Sequence, residues 1–251
     1  MNLAIIIPAL NEEGSIAGTL ARLPAGLAQQ IIVVDNGSTD RTAMVARAAG
    51  VEVVHEPRRG YGQACLTGLA HLRRDIDAVA ILDADGSDDS SRLPEFVQLI
   101  ESRAADFVVS ARTLGDARRH LSPQQRFGNW LACWLMRLAV GHRYRDCGPM
   151  RVLRRDALDR LQMRDTTWGW NVEMQMKAAR AGLKIREVPV TYGARAAGQS
   201  KISGSVIGTV RAGVKIVVTI GSLAWQIYVG RLCGSALPDA APSRSGRPTT
   251  S

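Results

Sequence analysis

Lysine is scarce in this chain of 251 residues. Only Lys177, Lys184, Lys201 and Lys215 occur, so 28 of the 32 basic residues are arginine. Cysteine is sparse too: Cys65, Cys133, Cys147 and Cys233 lie far apart in sequence and form no C-x-x-C pair. That argues against a zinc site or a disulfide framework and predicts reduced thiols in a cytosolic setting. The four histidines, His55, His71, His120 and His142, have no ligand spacing either. No signal peptide is expected, because residues 3–8 already read as a core strand. Long apolar runs are also missing. The longest uncharged run near the end, residues 216–230, holds 15 residues, short of the roughly 20 that a bilayer span needs.

What is present is positive charge, a formal +9, which suits an anionic partner. Arginine suits bidentate recognition of phosphate. The length fits one domain of α/β size with a sizeable core.

Residues 3–8, Leu-Ala-Ile-Ile-Ile-Pro, read as a central strand closed by proline. Further strands are expected at 31–34, 51–54, 78–82 and 107–110, with helices between them. Such alternation predicts an α/β fold with a mostly parallel, doubly wound sheet covered by helices on both faces. Polar loops follow Pro8, Val34 and Leu82, and a sheet of this kind gathers them on one edge. Later, 126–140 reads as a strongly apolar helix, 171–181 as an amphipathic one, and 184–190 as extended. From residue 234 onward the composition is that of a disordered tail.

The central stretch is Ala78-Val79-Ala80-Ile81-Leu82-Asp83-Ala84-Asp85-Gly86-Ser87-Asp88-Asp89. A short buried strand ends there in four carboxylates, which repel one another unless a cation sits among them. An EF-hand loop is excluded. Starting from Asp83, position 6 is Asp88 rather than glycine, and position 12 is Pro94 rather than glutamate. Asp88 and Asp89 read as solvated capping residues for the next helix. Asp83 and Asp85 read as ligands of Mg2+ or Mn2+ holding a diphosphate, with Asp85 expected to be the more exposed. A dinucleotide site of the Rossmann type is rejected, because the first strand is followed by Ala-Leu-Asn-Glu-Glu instead of a glycine fingerprint.

Taken together, Pro8-Ala9-Leu10-Asn11-Glu12-Glu13, Val33-Val34-Asp35-Asn36-Gly37-Ser38-Thr39-Asp40, Gly60 with Gly62, and Asp83-Ala84-Asp85 resemble the family 2 inverting glycosyltransferases of the GT-A fold. The resemblance implies that Pro8, Asn11, Glu12, Asp35, Gly37, Ser38, Gly60, Gly62 and Asp83 line a nucleotide-sugar site, with Asp83 and Asp85 on the metal and diphosphate. The second half is similar to the branch that uses a polyprenyl-phosphate acceptor, the dolichyl-phosphate mannose or glucose synthases. Its matching motifs are Ser110-Ala111-Arg112, Gln125-Arg126-Phe127-Gly128-Asn129, Asp146-Cys147-Gly148-Pro149-Met150-Arg151, Trp170-Asn171-Val172-Glu173-Met174-Gln175, and residues 195–201. Cys147, Met150 and the plain Ala196-Ala197 depart from its usual pattern.

Arg112, Arg126, Arg195 and Lys201 each stand beside Gly, Ser or Asn in expected loops or helix starts, where they can reach phosphate-bearing ligands. The reading assigns Arg112, Arg126 and Ser200 to the acceptor phosphate, and Asp85, Arg195 and Lys201 to the leaving diphosphate. Glu173 is the candidate base that a hydroxyl acceptor requires. A phosphate acceptor needs none, and Glu173 then serves to orient the acceptor or the arginines. The apolar helices, with flanking Trp, Tyr and basic residues, are read either as lying at a bilayer interface or as buried core or oligomer helices. The expected organisation is a GT-A domain over 1–202 with an interfacial helix near 123–140, an apolar amphipathic segment at 203–230 and a tail at 231–251. The expected setting is cytoplasmic, at the inner face of the membrane, with no nucleic acid partner. A soluble or glycan acceptor, and a non-catalytic sugar-nucleotide-binding protein, stand as alternatives.

Overall fold

The computed structural model describes residues 1–112, 121–191 and 206–232. In the first half, strands β1 (Leu3–Ala9), β2 (Gln30–Asp35), β3 (Glu52–His55), β4 (Ala78–Ile81) and β5 (Phe107–Ala111) alternate with helices. These are α1 (Ile16–Ala21), α2 (Thr42–Ala48), α3 (Tyr61–Ala70) and α4 (Leu93–Glu101). There follow α5 (Pro123–Val140), β6 (Arg151–Arg154), α6 (Arg155–Leu161), α7 (Trp170–Arg180), β7 (Ile185–Pro189) and α8 (Val206–Leu232). Among the described residues the strands form one seven-stranded sheet in the order β3-β2-β1-β4-β6-β5-β7. All neighbours run parallel except β6, which is antiparallel to both β4 and β5. The mostly parallel, helix-covered sheet is the architecture expected from the sequence.

Strand β1 shows why the sheet lies in the middle of the molecule. Its residues are all buried, and Leu3, Ile5 and Ile7 enter one core cluster while Ala4 and Ile6 enter the other. A strand buried on both faces reads as a continuous apolar run, as this one does. The first cluster takes Phe96, Val97 and Ile100 of α4, and the second takes Ala64 and Cys65 of α3 with Trp170 and Met174 of α7. A third, smaller cluster lies between helices. There Ala132, Cys133 and Met136 of α5 meet Val172 and Met176 of α7 and Ile220 of α8.

Strand β6 was not expected. Arg-Val-Leu-Arg is four residues long and begins and ends on a cation, so it carries no strand signature of its own. The sheet supplies the reason: Val152 pairs with Ala80 and Val108, and both edges of β6 are hydrogen-bonded. Cys133 and Cys147, distant in sequence, bring their sulfurs to 4.0 Å as free thiols.

A buried carboxylate fastens the loop after β3. Glu56 accepts from the Arg58 amide at 2.8 Å and from its Nε at 3.1 Å, from Thr67 Oγ1 at 2.6 Å and from Gln63 Nε2 at 2.8 Å. These donors, Arg58 first, hold its carboxyl far below the usual carboxylate range. A depressed folded-state pKa gives stability that is complete above the unfolded value and is lost as pH falls towards the folded one. Stability measured by urea unfolding is therefore expected to fall as pH drops below about 4.5, the ordinary glutamate value. In Glu56→Gln it is expected to be lower at neutral pH and to lose part of that acid dependence. An unchanged acid slope in the variant is the contrary result.

Candidate active site

Strands β1, β2 and β4 run parallel, so their carboxyl ends share one edge, where open α/β sheets hold their ligands. The loops after β1 and β2 are tied to each other there. Asn11 sits in the left-handed region at φ 50°, a conformation asparagine tolerates better than most residues. Its amide donates to Ser38 Oγ at 2.9 Å, and its side-chain oxygen accepts from the Thr39 amide at 2.7 Å. The Glu12 amide donates to Thr42 Oγ1 at 2.7 Å, and the Glu12 carboxylate accepts from Ser15 Oγ at 2.8 Å. Asp35, the last residue of β2, accepts from the Ser38 amide at 3.0 Å and lies 3.1 Å from His55 Nδ1. Gly37 between them holds φ 77°, and Pro8 is a buried strand residue paired with Val34. The structure thus brings Pro8, Asn11, Glu12, Asp35, Gly37 and Ser38 together.

Gly60 and Gly62 have a local packing role of their own. A Cβ on Gly60 would stand 2.1 Å from the Thr166 carbonyl oxygen, and one on Gly62 2.0 Å from that of Asp165. The glycines admit the 165–167 loop against the start of α3. The amides of Gly62 and Gln63 donate to the carbonyls of Thr167 at 3.2 Å and Thr166 at 2.8 Å. Buried Asn36, which the sequence did not single out, accepts from the Gly60 amide at 2.7 Å and donates to the Arg58 carbonyl at 2.8 Å.

At the end of β4 the roles within the acidic cluster are redistributed. Asp85 is buried, not the more exposed of the pair, and its Oδ1 accepts from the Ser87 amide at 2.9 Å and from Ser87 Oγ at 2.6 Å. Asp83 is the partly exposed one, and burial together with the charge of Asp85 raises its carboxyl to about 6. Asp88 is no solvated cap. It is buried, accepts from the Asp83 amide at 3.0 Å, and is pushed well above the usual range by burial and by Asp83. Asp89 accepts from Ser91 Oγ and from the Thr191 hydroxyl. The turn buries Asp85 and Asp88, and a turn's side-chain directions are not written in its composition.

Buried cations answer this charge. Arg151, fully buried on β6, pairs in register with Ile81, two residues before Asp83. Its guanidinium donates to the carbonyls of Pro149 at 3.1 Å, Gly148 and Asn171 at 3.4 Å, and its charge acts on Asp83 and on the buried Tyr61 hydroxyl. Arg112 also lowers the Asp83 and Asp88 carboxyls. It is not a solvated residue: it grips the wholly buried Asp146 bidentately, Nε to Oδ2 at 3.0 Å and Nη2 to Oδ1 at 2.9 Å. Asp146 and Arg151 lie in a motif quoted from the sequence, yet their roles depend on partners far along the chain. Gly148 marks the same close packing, since a Cβ there would stand 1.9 Å from the Ser110 carbonyl oxygen.

Glu173, in the first turn of α7, is buried. Its carboxylate accepts from the Arg164 amide at 3.1 Å, from the Asp165 amide at 2.7 Å and from Lys177 Nζ at 2.7 Å. It anchors the 164–167 loop. Asp165 in turn accepts from the Thr167 amide at 2.7 Å and meets Lys215 Nζ at 3.4 Å and Thr219 Oγ1 at 3.3 Å, which ties α8 to the same loop. Arg126 is exposed in the first turn of α5, away from any contact with the acidic cluster described above. Arg195, Ser200 and Lys201 lie outside the described residues.

Among the described residues no three His, Cys, Asp or Glu side chains form a closed metal cage. The donor set at Asp83 and Asp85 fits instead a hard divalent cation that takes one or two carboxylates from protein and its other ligands from phosphate and water. The Asp83 carboxyl is raised first by burial and second by the neighbouring Asp85 charge, and a cation held between the two would relieve that repulsion.

Comparison with known proteins agrees with this geometry. The family described as Glycosyl transferase family 2 matches residues 4–162. An uncharacterized glycosyltransferase of Mycobacterium tuberculosis is 42% identical over 210 residues, covering 83% of this chain and 93% of its own. An undecaprenyl-phosphate mannosyltransferase of Micrococcus luteus is 33% identical over 221 residues, covering 83% of this chain and 90% of its own. The crystal structure of glucosyl-3-phosphoglycerate synthase from Mycobacterium tuberculosis, in complex with Mn2+, UDP and glucosyl-3-phosphoglycerate, superposes with a TM-score of 0.70 at 21% identity. That match covers 88% of this chain and 79% of the synthase, and it shows the shared GT-A fold. The chain is a glycosyltransferase and belongs to glycosyl transferase family 2.

Proposed function

We propose that the protein transfers a hexose, with inversion, from a nucleotide-diphosphate sugar of the UDP-glucose or GDP-mannose type to a polyprenyl phosphate at a membrane surface. The cross-tied loops after β1 and β2 would receive the nucleotide. Asp83 and Asp85 would hold Mg2+ or Mn2+, which when bound supplies Lewis-acid stabilisation to the departing diphosphate. Relatives named undecaprenyl-phosphate mannosyltransferase and dolichyl-phosphate hexose transferase support this acceptor class, and the Mn2+ and Mg2+ complexes of the glucosyl-3-phosphoglycerate synthase support the cation.

The observation that carries the acceptor assignment is the engagement of Glu173. A hydroxyl acceptor needs a carboxylate to take its proton, and this one already accepts from two backbone amides and an ammonium. A phosphate monoester brings an oxygen that is anionic near neutral pH. The chain then has to place donor and acceptor in line and screen their charges. Arg112, aligned by Asp146, together with Arg126, Arg195, Ser200 and Lys201, would serve that screening.

Four outcomes check this reading. Asp85→Ala is expected to lower turnover by roughly 10³-fold, the scale of losing a main electrostatic stabiliser. Calorimetric titration with UDP-glucose or GDP-mannose should show binding that depends on manganese and disappears on chelation. Glu173→Gln is expected to keep turnover within about tenfold of the parent, while thermal stability falls by about 1–3 kcal/mol because a buried acceptor is mispaired. Near-total loss of turnover in folded Glu173→Gln would favour the hydroxyl acceptor. Organic-phase extraction of label from a radiolabelled sugar nucleotide identifies the acceptor class directly.

A further inference from the structure

Helices α5 and α8 pack against each other and against α7, and each presents an apolar stripe on its outer side. On α5 the stripe is Phe127, Trp130, Trp134 and Leu138, spaced three or four residues apart and 61%, 58%, 46% and 66% exposed. Their rings form a row, with centroids 5.9 Å apart for Phe127–Trp130 and 6.3 Å for Trp130–Trp134. On α8, Trp225 and Tyr228 are 67% and 55% exposed, with ring centroids 6.1 Å apart. Both helices bury the opposite stripe, Ala132, Cys133 and Met136 on one and Ile216, Ile220, Leu223 and Ile227 on the other. Each exposed stripe therefore lies on the side of its helix away from the cluster shared by α5, α7 and α8. Exposed apolar surface of this extent marks an interaction site.

Charge selects the occupant. The sequences of α5 and α8 contain no aspartate or glutamate, and Arg126 and Arg137 of α5 are exposed. Arg143 and Arg145, both exposed, follow α5 directly. A second copy of this face would set cations against cations, whereas an anionic bilayer meets both the rings and the charge. Trp and Tyr favour the headgroup boundary, and no described helix is long and apolar enough to cross a membrane.

We infer that the outer face of α5 and α8 docks onto an anionic lipid surface, its aromatic row entering the headgroup boundary and its cations meeting lipid phosphates. The inference deepens the acceptor reading above, on which the membrane setting rests. The docking face also reaches the donor side of the molecule through a direct contact. Lys215 and Thr219 of α8 hold Asp165, whose loop lies against Gly60 and Gly62.

Flotation of the full chain with vesicles tests the inference. Phosphatidylcholine vesicles containing roughly a third phosphatidylglycerol are expected to carry the protein and blue-shift its tryptophan fluorescence. Pure phosphatidylcholine is expected to bind far less, and added salt should weaken the binding. Trp130→Ala with Trp134→Ala, and separately Arg137→Glu with Arg143→Glu, are each expected to weaken binding about tenfold. Equal binding to both vesicle types, variants that float like the parent, or a dimer dissolved by the tryptophan substitutions would overturn the inference. Turnover of a short, water-soluble polyprenyl phosphate without vesicles reads the acceptor assignment alone and is expected to survive the tryptophan substitutions. Vesicle binding without such turnover sinks the acceptor assignment and upholds the docking face. The reverse pattern sinks the docking face.

Discussion

Like-charge repulsion at the end of β4 is the constraint around which the rest of this protein is arranged. Asp83, Asp85 and Asp88 crowd into one turn, and burial raises the cost of the Asp83 and Asp88 charges. The fold answers with fixed positive charge from behind, as Arg151 lies in the neighbouring strand and Arg112 is held by Asp146. Arg151 meets main-chain carbonyls through its donors, so its charge is not cancelled by a carboxylate in direct contact. On the proposed reading, Asp83 and Asp85 would share this place with a cation and a diphosphate.

Around that point the loops form a framework of side-chain-to-backbone bonds. Asn11, Ser38 and Thr39 lock the first two loops together, and Asn36 and Glu56 shape the approach to Gly60. Glu173 and Asp165 shape the 164–167 loop, which the two glycines let in against α3. Loops held in this way act as rigid parts of a site, because each buried polar atom that loses its partner costs a desolvation penalty. The framework also explains how α8, distant in sequence, is fastened through Asp165 to the loop that lies against Gly60 and Gly62.

Much of the fold was legible beforehand, and the misses share a cause. Strands β1 to β5 are apolar runs bounded by turn residues, and α5, α7 and α8 are apolar or amphipathic over many turns, so local pattern suffices. Strand β6 is invisible locally, since Arg151 is acceptable inside a sheet only where Gly148, Pro149 and Asn171 offer their carbonyls. The acidic turn stood out in the sequence, but the expected exposure of Asp83 and Asp85 was inverted, because the Ser87 bonds that bury Asp85 arise from the turn's folded geometry. The anchoring of the 164–167 loop by Glu173 was not legible, because its partners at Arg164 and Asp165 belong to an irregular loop with no periodic signal.

The sequence by itself determined the α/β architecture, the grouping of polar loops at three strand ends and the family, since these depend on hydrophobic period and short contiguous motifs. Only the tertiary structure decided which carboxylates turn inward, which arginines are held by carboxylate or carbonyl, and which face of α5 and α8 stays uncovered. Those outcomes rest on contacts between residues tens of positions apart, such as Arg112 with Asp146 and Asp165 with Lys215. In each case the energy belongs to the pair and its burial, and neither residue alone carries the information.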